Sequence, residues 1–210
     1  MKVESRIHCG HVVSFRATDQ ANFIETAHPA GSRLANHAHQ APHLAILQEG
    51  AYFERIGGDC FLRLPGDRVF YPEFLEHENR FGRLPAKCLN VETLDGSLPT
   101  LAPEFEMPVL KKLRRLAQRG RATSTRDLAR EMGYHPVYLS RMFRKAFGTS
   151  LGEFLKTCRV RRSADLIFRA DLALAEIALE SGYYDQSHLT NELNSLTGFT
   201  PNELRRLANN

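Results

Sequence analysis

The sequence predicts an α+β chain, with short β-strands in its first half and helices in its second. Three observations carry that expectation. Short apolar runs, each stopped by Gly or Pro, fill the first half. A stretch holding Pro99, Pro103 and Pro108, with little periodicity, separates them from the second half. Beyond it one small motif occurs twice, 49 positions apart. The expected organisation is a strand domain over 1–97, a linker over 98–108 and a helical domain over 109–210.

The strand signals come in order. Leu44-Ala45-Ile46-Leu47 stops at Glu49-Gly50, and Tyr52 to Ile56 stops at Gly57-Gly58. Cys60 to Leu64 stops at Pro65-Gly66, and Val69 to Tyr71 stops at Pro72. Runs spaced by about ten residues indicate an all-β sandwich or barrel, here a β-barrel of jelly-roll type. Phe53, Phe61, Phe70, Tyr71 and Phe74 are candidates for its core, or for a pocket wall.

The helical signals begin with the stripe Val109, Leu110, Leu113, Leu116 and Ala117, surrounded by Lys111, Lys112, Arg114 and Arg115. Ser124-x-x-Asp127, Ser150-x-x-Glu153 and Thr200-Pro201-x-Glu203 have the form of capping boxes, the last with proline in the first turn. From Leu151 to Phe168 nothing breaks the pattern, which predicts one helix of about 18 residues spanning about 27 Å.

The repeat is the most informative feature. Asp127-Leu128-Ala129-x-x-x-Gly133-Tyr134 returns as Glu176-Ile177-Ala178-x-x-x-Gly182-Tyr183. Each copy leads through a second amphipathic segment to a glycine and a helix start, at Gly148-Thr149-Ser150 and at Gly198-Phe199-Thr200. A helix, a glycine turn and a second helix is the arrangement that places a recognition helix in a DNA major groove. In the first copy Leu139, Met142, Phe143, Ala146 and Phe147 form the expected core stripe. Val137, Ser140, Arg141 and Arg144 lie opposite, where they offer hydrogen bonds and charge to bases and phosphates. Successive major-groove faces lie about 34 Å apart, a spacing that the long helix between the two copies suits.

Charge divides the same way. Residues 1–104 carry 10 Lys/Arg against 13 Asp/Glu, and residues 105–210 carry 18 against 11. A polyanionic partner is therefore expected for the second half alone. No apolar run reaches the length of a membrane span, and residues 1–19 lack the apolar core of a secretion signal. Cys9, Cys60, Cys88 and Cys158 are far apart and unpaired in sequence, as in a cytoplasmic protein with reduced thiols.

Seven of the nine histidines lie in the first half. His37 and His39, two apart on a strand, are expected to share a face, and His43 keeps their parity if the strand continues past Pro42. His77 arrives from another hairpin. Three or four converging imidazoles suit Zn²⁺, Ni²⁺, Cu²⁺ or Fe²⁺ better than hard cations. The same residues equally suit the wall of an organic-effector pocket, or a polar barrel interior.

Residues 105–210 resemble the DNA-binding domain of the AraC/XylS family of bacterial transcription regulators. The likeness runs through Leu128-Ala129, Gly133-Tyr134-His135 and Tyr138-Leu139-Ser140-Arg141-Met142-Phe143-Arg144-Lys145 to Gly148. It continues through Ile177-Ala178, Gly182-Tyr183, Gln186-Ser187-His188-Leu189 and Gly198-Phe199-Thr200-Pro201. The resemblance implies DNA contacts from Pro136, Val137, Ser140, Arg141 and Arg144, and from Gln186, Ser187, Thr190 and Asn191. The second copy departs from the family, which commonly has arginine at Asn191 and an aromatic residue at Leu193. Arg141, Arg144 and Lys145 align with Asn191, Asn194 and Ser195, and Met142 with Glu192. With three cations lost and one anion gained, the second helix is expected to hold phosphates weakly.

Gly31-x5-His37-x-His39-x3-His43-x6-Gly50 resembles the first cupin motif, with His43 in place of the usual glutamate. Pro65-Gly66-Asp67 and His77-Glu78-Asn79 resemble the second, shortened by one residue at its opening. The resemblance covers roughly residues 10–95. It implies a sensor domain with a transition metal on His37, His39, His43 and His77, or an organic effector among them. Together the resemblances imply a cytoplasmic activator or repressor that binds promoter DNA and meets RNA polymerase there, with dimerisation left open. Two other readings stand beside this one. In the first, the chain is a metal-dependent cupin enzyme tethered by its helices, although no paired acid and base or nucleophile marks a reaction. In the second, it is an interaction module without specific DNA binding.

Overall fold

The computed structural model describes residues 10–93 and 124–209, apart from the side chain of Ala146. The expected linker 98–108 and the stripe Val109–Ala117 lie outside the described residues. Those described fall into two compact units, one joining 10–93 with 194–209 and the other holding 124–193.

Nine strands build the first unit: β1 (His11–Ala17), β2 (Ala21–His28), β3 (Arg33–His37), β4 (His43–Glu49), β5 (Tyr52–Ile56), β6 (Asp59–Arg63), β7 (Arg68–Tyr71), β8 (His77–Phe81) and β9 (Ala86–Thr93). They form two antiparallel sheets, β1-β2-β9-β4-β7 and β3-β8-β5-β6. The expected jelly-roll type is therefore present. Alternation sets the inner faces: His77, Asn79 and Phe81 of β8 are buried while Glu78 and Arg80 are half-exposed. Leu47, Tyr52, Phe81, Ala86 and Cys88 form one buried apolar cluster, which draws on both sheets.

Of the five aromatic candidates, Phe53 is buried, Phe61 and Phe70 are half-buried, and Tyr71 is buried. Phe74 is not part of a core or a pocket wall: it is 68% exposed, in a left-handed turn at φ 60°. The loop turns there, and its backbone N–H donates to the carbonyl of His39 at 2.8 Å.

Among the described residues the helices are α1 (Thr125–Met132), α2 (Pro136–Phe147), α3 (Leu151–Arg169), α4 (Leu174–Glu180), α5 (Gln186–Thr197) and α6 (Pro201–Asn209). The last turn of α5 and all of α6 belong to the first unit. The repeat reappears as repeated geometry. Tyr134 N–H bonds to the carbonyl of Ala129, and Tyr183 N–H to that of Ala178, both at 2.9 Å. Gly133 and Gly182 turn the chain at φ 72° and 85°, a region that glycine enters freely. Ser150 with Glu153 and Thr200 with Glu203 each exchange the two hydrogen bonds of a capping box.

Leu128, Ala129, Leu139, Phe143, Leu151 and Leu155 form the core of the first motif, with Met142 packed against it. Phe147, expected on that stripe, is instead 41% exposed at the helix end, where its ring leans on Phe143 at 4.6 Å.

Candidate metal centre and nucleic-acid interface

His37 and His77 are register partners across β3 and β8, with ring centroids 4.2 Å apart. His39 lies two residues beyond the end of β3, not on it. Its carbonyl is held by Phe74, and its ring stands 5.1 Å from His37 and 5.2 Å from His77. Each of the three offers a ring nitrogen, and these atoms all lie within 4.8 Å of one another.

His43 reaches this neighbourhood differently from the parity argument. It opens β4 in the other sheet, after the chain has crossed over through Pro42. Its ring packs on His39 at 4.4 Å and on Tyr71 at 5.0 Å. The three-histidine group does not include it.

The backbone orients two of the rings. His37 Nδ1 is 2.8 Å from the carbonyl of Ala35, and His77 Nδ1 is 3.0 Å from that of Leu75. A carbonyl only accepts, so Nδ1 carries the proton and donates, and in the neutral ring this tautomer has its lone pair on Nε2. That is the usual way in which an outer partner fixes a ligating imidazole. Burial, opposed by the bond to Leu75, lowers the pKa of His77 and favours the neutral ring. Cys88 is also on the chamber wall, but burial pushes its thiol up to about 12, so it is held protonated and is a poor ligand.

Beside the trio lies a polar network that the sequence reading missed. Glu54 of β5 is fully buried and accepts from Arg63 Nη2 at 2.6 Å and Nε at 2.7 Å. Tyr71 Oη and Asn79 Nδ2 donate to its other oxygen. Tyr71, positioned this way, lays its ring 4.6 Å from His77. Glu54 was detectable, since it shares the inward parity of Tyr52 on a short strand and a charge there needs a partner. Its oxygens already serve Arg63, Tyr71 and Asn79, and the three histidines remain the available ligand set. The chamber that these residues enclose measures about 40 Å³. That is room for a water or two, whereas sites for drug-sized ligands run to about 300–1,000 Å³.

In the second unit the expected contact residues of α2 share one surface. Pro136, Val137, Ser140, Arg141 and Arg144 together line a shallow depression. Val137, Arg141 and Arg144 are exposed, and Pro136 and Ser140 half-exposed. His135 caps α2, its Nδ1 accepting from Val137 N–H at 3.4 Å. On α5, Gln186, Ser187 and Asn191 are exposed and Thr190 is half-exposed, its hydroxyl donating to the Gln186 carbonyl at 2.9 Å. Asp185 caps that helix through the His188 N–H at 2.7 Å.

One expectation about α5 is corrected. Glu192 does not add a free anion to the recognition helix. Arg159 of α3 holds both its oxygens, at 2.8 and 3.0 Å, and both side chains are largely buried. The guanidinium also lies 5.5 Å over the ring of Tyr183. Helical periodicity gives the reason, because Glu192 aligns with Met142, which itself packs on the core.

Residues 128–207 match the family model described as a helix-turn-helix domain. Over 79 residues the chain is 33% identical to the HTH-type transcriptional regulator GlxA of Rhizobium meliloti (strain 1021), covering 38% of this chain and 24% of that one. The C-terminal domain of AraT, a response regulator from Geobacillus stearothermophilus, is similar at 27% identity with a TM-score of 0.45, covering 49% of this chain and 88% of that one. A cupin superfamily protein from Desulfitobacterium hafniense DCB-2 is similar at 14% identity with a TM-score of 0.35, covering 43% of this chain and 83% of that one. The chain spans 24%, 10% and 34% of the length of the first curated relatives that it matches.

Facing antiparallel sheets around a polar chamber, followed by a repeated helix–turn–helix, define the class of this protein as a strand domain joined to a helix-turn-helix domain. Over residues 128–207 the helical part is a helix-turn-helix domain. Among the described residues no helix is long and apolar enough to cross a membrane.

Proposed function

We propose that this chain is a sequence-specific DNA-binding transcription regulator whose cupin-like chamber takes up one transition-metal ion, and that occupancy of the chamber controls promoter binding. The DNA-binding part of the reading rests on α2. Its exposed Arg141 and Arg144 flank Ser140 and Val137 on one surface, behind a capped and well-packed helix. Arginine and serine on such a face supply base-edge and phosphate contacts, with the strong salt dependence that counterion release brings.

The observation that favours a metal over an organic effector is the trio His37, His39 and His77 in a chamber of about 40 Å³. Imidazole ligands suit a borderline ion such as Zn²⁺, Ni²⁺, Cu²⁺ or Fe²⁺, and the space admits little else. Bound there, the ion would supply a fixed positive charge and a bridge between β3, the β3–β4 connection and β8. A switch requires only that the ion bind the DNA-competent and incompetent states with different affinity.

The test is metal content of the untagged protein by plasma mass spectrometry, beside a His37→Ala variant. A DNA-binding titration comes next, with and without metal, on duplexes selected from a random pool. About one ion per chain in the parent, its loss in the variant and a metal-dependent shift in DNA affinity are expected. Metal-free protein after reconstitution overturns the sensing part, and failure to enrich any sequence overturns the DNA-binding part.

A further inference from the structure

A second cavity, of about 240 Å³, lies within the unit that joins the strands to residues 194–209. Four arginines line it, Arg33, Arg80, Arg83 and Arg206, against one carboxylate, Glu203. Arg83 takes that carboxylate, at 2.6 Å. Arg33 shares Glu78 with Arg55, at 3.4 and 3.5 Å. Among the described residues neither Arg80 nor Arg206 has an acidic partner, and the buried Nε of Arg80 has no hydrogen-bond acceptor.

The register makes the imbalance sharper. Arg33 and Arg80 are direct partners across β3 and β8, and like charges in opposition weaken a strand pair. A buried guanidinium nitrogen without an acceptor adds a desolvation cost. An anion in the cavity removes both costs at once. The planar fork of arginine bonds two oxygens of a phosphate or carboxylate side by side. The walls are also fixed in place. Gly198, at φ 73°, brings the turn before α6 so close to the β8–β9 turn that a Cβ there would stand 2.5 Å from Arg83 N.

We propose that this cavity is a binding site for a small dianion of the phosphate or dicarboxylate kind, separate from the histidine chamber. The volume is below that of sites for drug-sized ligands, which limits the ligand to a few heavy atoms. Bound there, the dianion ties the β3–β8 ladder to α6 through Arg80 and Arg206. It thereby gives the protein a second chemical input that does not depend on metal.

Calorimetric titration of the full chain with inorganic phosphate, and separately with succinate, at ionic strength held constant with chloride, tests the proposal. Saturable uptake of at least one probe is expected, at about one per chain. Affinity should fall at least tenfold in Arg80→Gln and in Arg206→Gln, and stay unchanged in Arg126→Gln, which removes an exposed cation of α1 away from the cavity lining. Phosphate alone, or succinate alone, then identifies the class. Arg206 is exposed on α6, so its variant keeps the test readable if Arg80→Gln does not fold. Absence of saturable uptake for both probes overturns the proposal, as does uptake that Arg206→Gln leaves intact. Loss of duplex affinity in Arg206→Gln without any small-anion binding also overturns it, because the arginines would then serve DNA phosphates.

Discussion

Glu54 and Arg63, paired at 2.6 Å with Glu54 fully buried, anchor the polar interior on which the histidine chamber rests. The pair reaches the chamber through Tyr71, which donates to Glu54 and lies against the rings of His43 and His77. A charge so enclosed has no water to fall back on.

Glu54→Gln should therefore destabilise the strand domain strongly, because it leaves the Arg63 guanidinium without its counter-charge. Breaking a buried pair from one side costs about 3–5 kcal/mol. Urea unfolding followed by tyrosine fluorescence measures it, and a loss below about 1 kcal/mol would mean that water reaches Arg63.

His28 should make stability fall with acid. Its ring stacks on Phe81 at 4.4 Å, and burial lowers its pKa to about 4. The unfolded chain, near 6.5, binds the proton more readily. The contribution of neutral His28 is therefore complete above about pH 6.5 and declines as pH falls toward about 4. His28→Gln cannot titrate there, so its stability should vary less than that of the parent across this window, as thermal melts at stepped pH will record.

Arg141→Ala should cost about 1–3 kcal/mol of DNA affinity if the guanidinium reads a base edge, and Asn191→Ala less. At the positions of Arg141, Arg144 and Lys145, α5 carries Asn191, Asn194 and Ser195, and Glu192 is already neutralised by Arg159. Gel-shift titrations at one salt concentration compare the two, and equal losses would refute the ranking.

Gly133→Ala and Gly198→Ala separate two costs. Both glycines have positive φ, 72° and 73°. A Cβ at Gly133 meets nothing within 4 Å, so only the left-handed conformation is penalised, by about 1–2 kcal/mol. A Cβ at Gly198 also strikes the backbone of Arg83, so its variant should be the less stable of the two in chemical unfolding.

The elements themselves were legible because they are written in local periods. The run Tyr52 to Ile56 became β5 unchanged, and the unbroken pattern from Leu151 to Phe168 became α3, one residue longer. The caps at Ser124, Ser150 and Thr200 arise from side chains within reach of their own backbone. Phe74 misled because an aromatic residue in a loop carries no period to show which way it faces.

The repeated helix–turn–helix and the exposed face of α2 follow from the sequence alone, since each depends on spacing along a single segment. It also named the histidines. Only the tertiary structure decided which of them meet, because His37 and His77 come together through strand register and His39 through a loop tied to Phe74. The same is true of Arg159 with Glu192 and of Arg33 opposite Arg80. These are pairings between segments distant in sequence, and in the strand pairs a shift of one residue in register would turn every side chain to the other face.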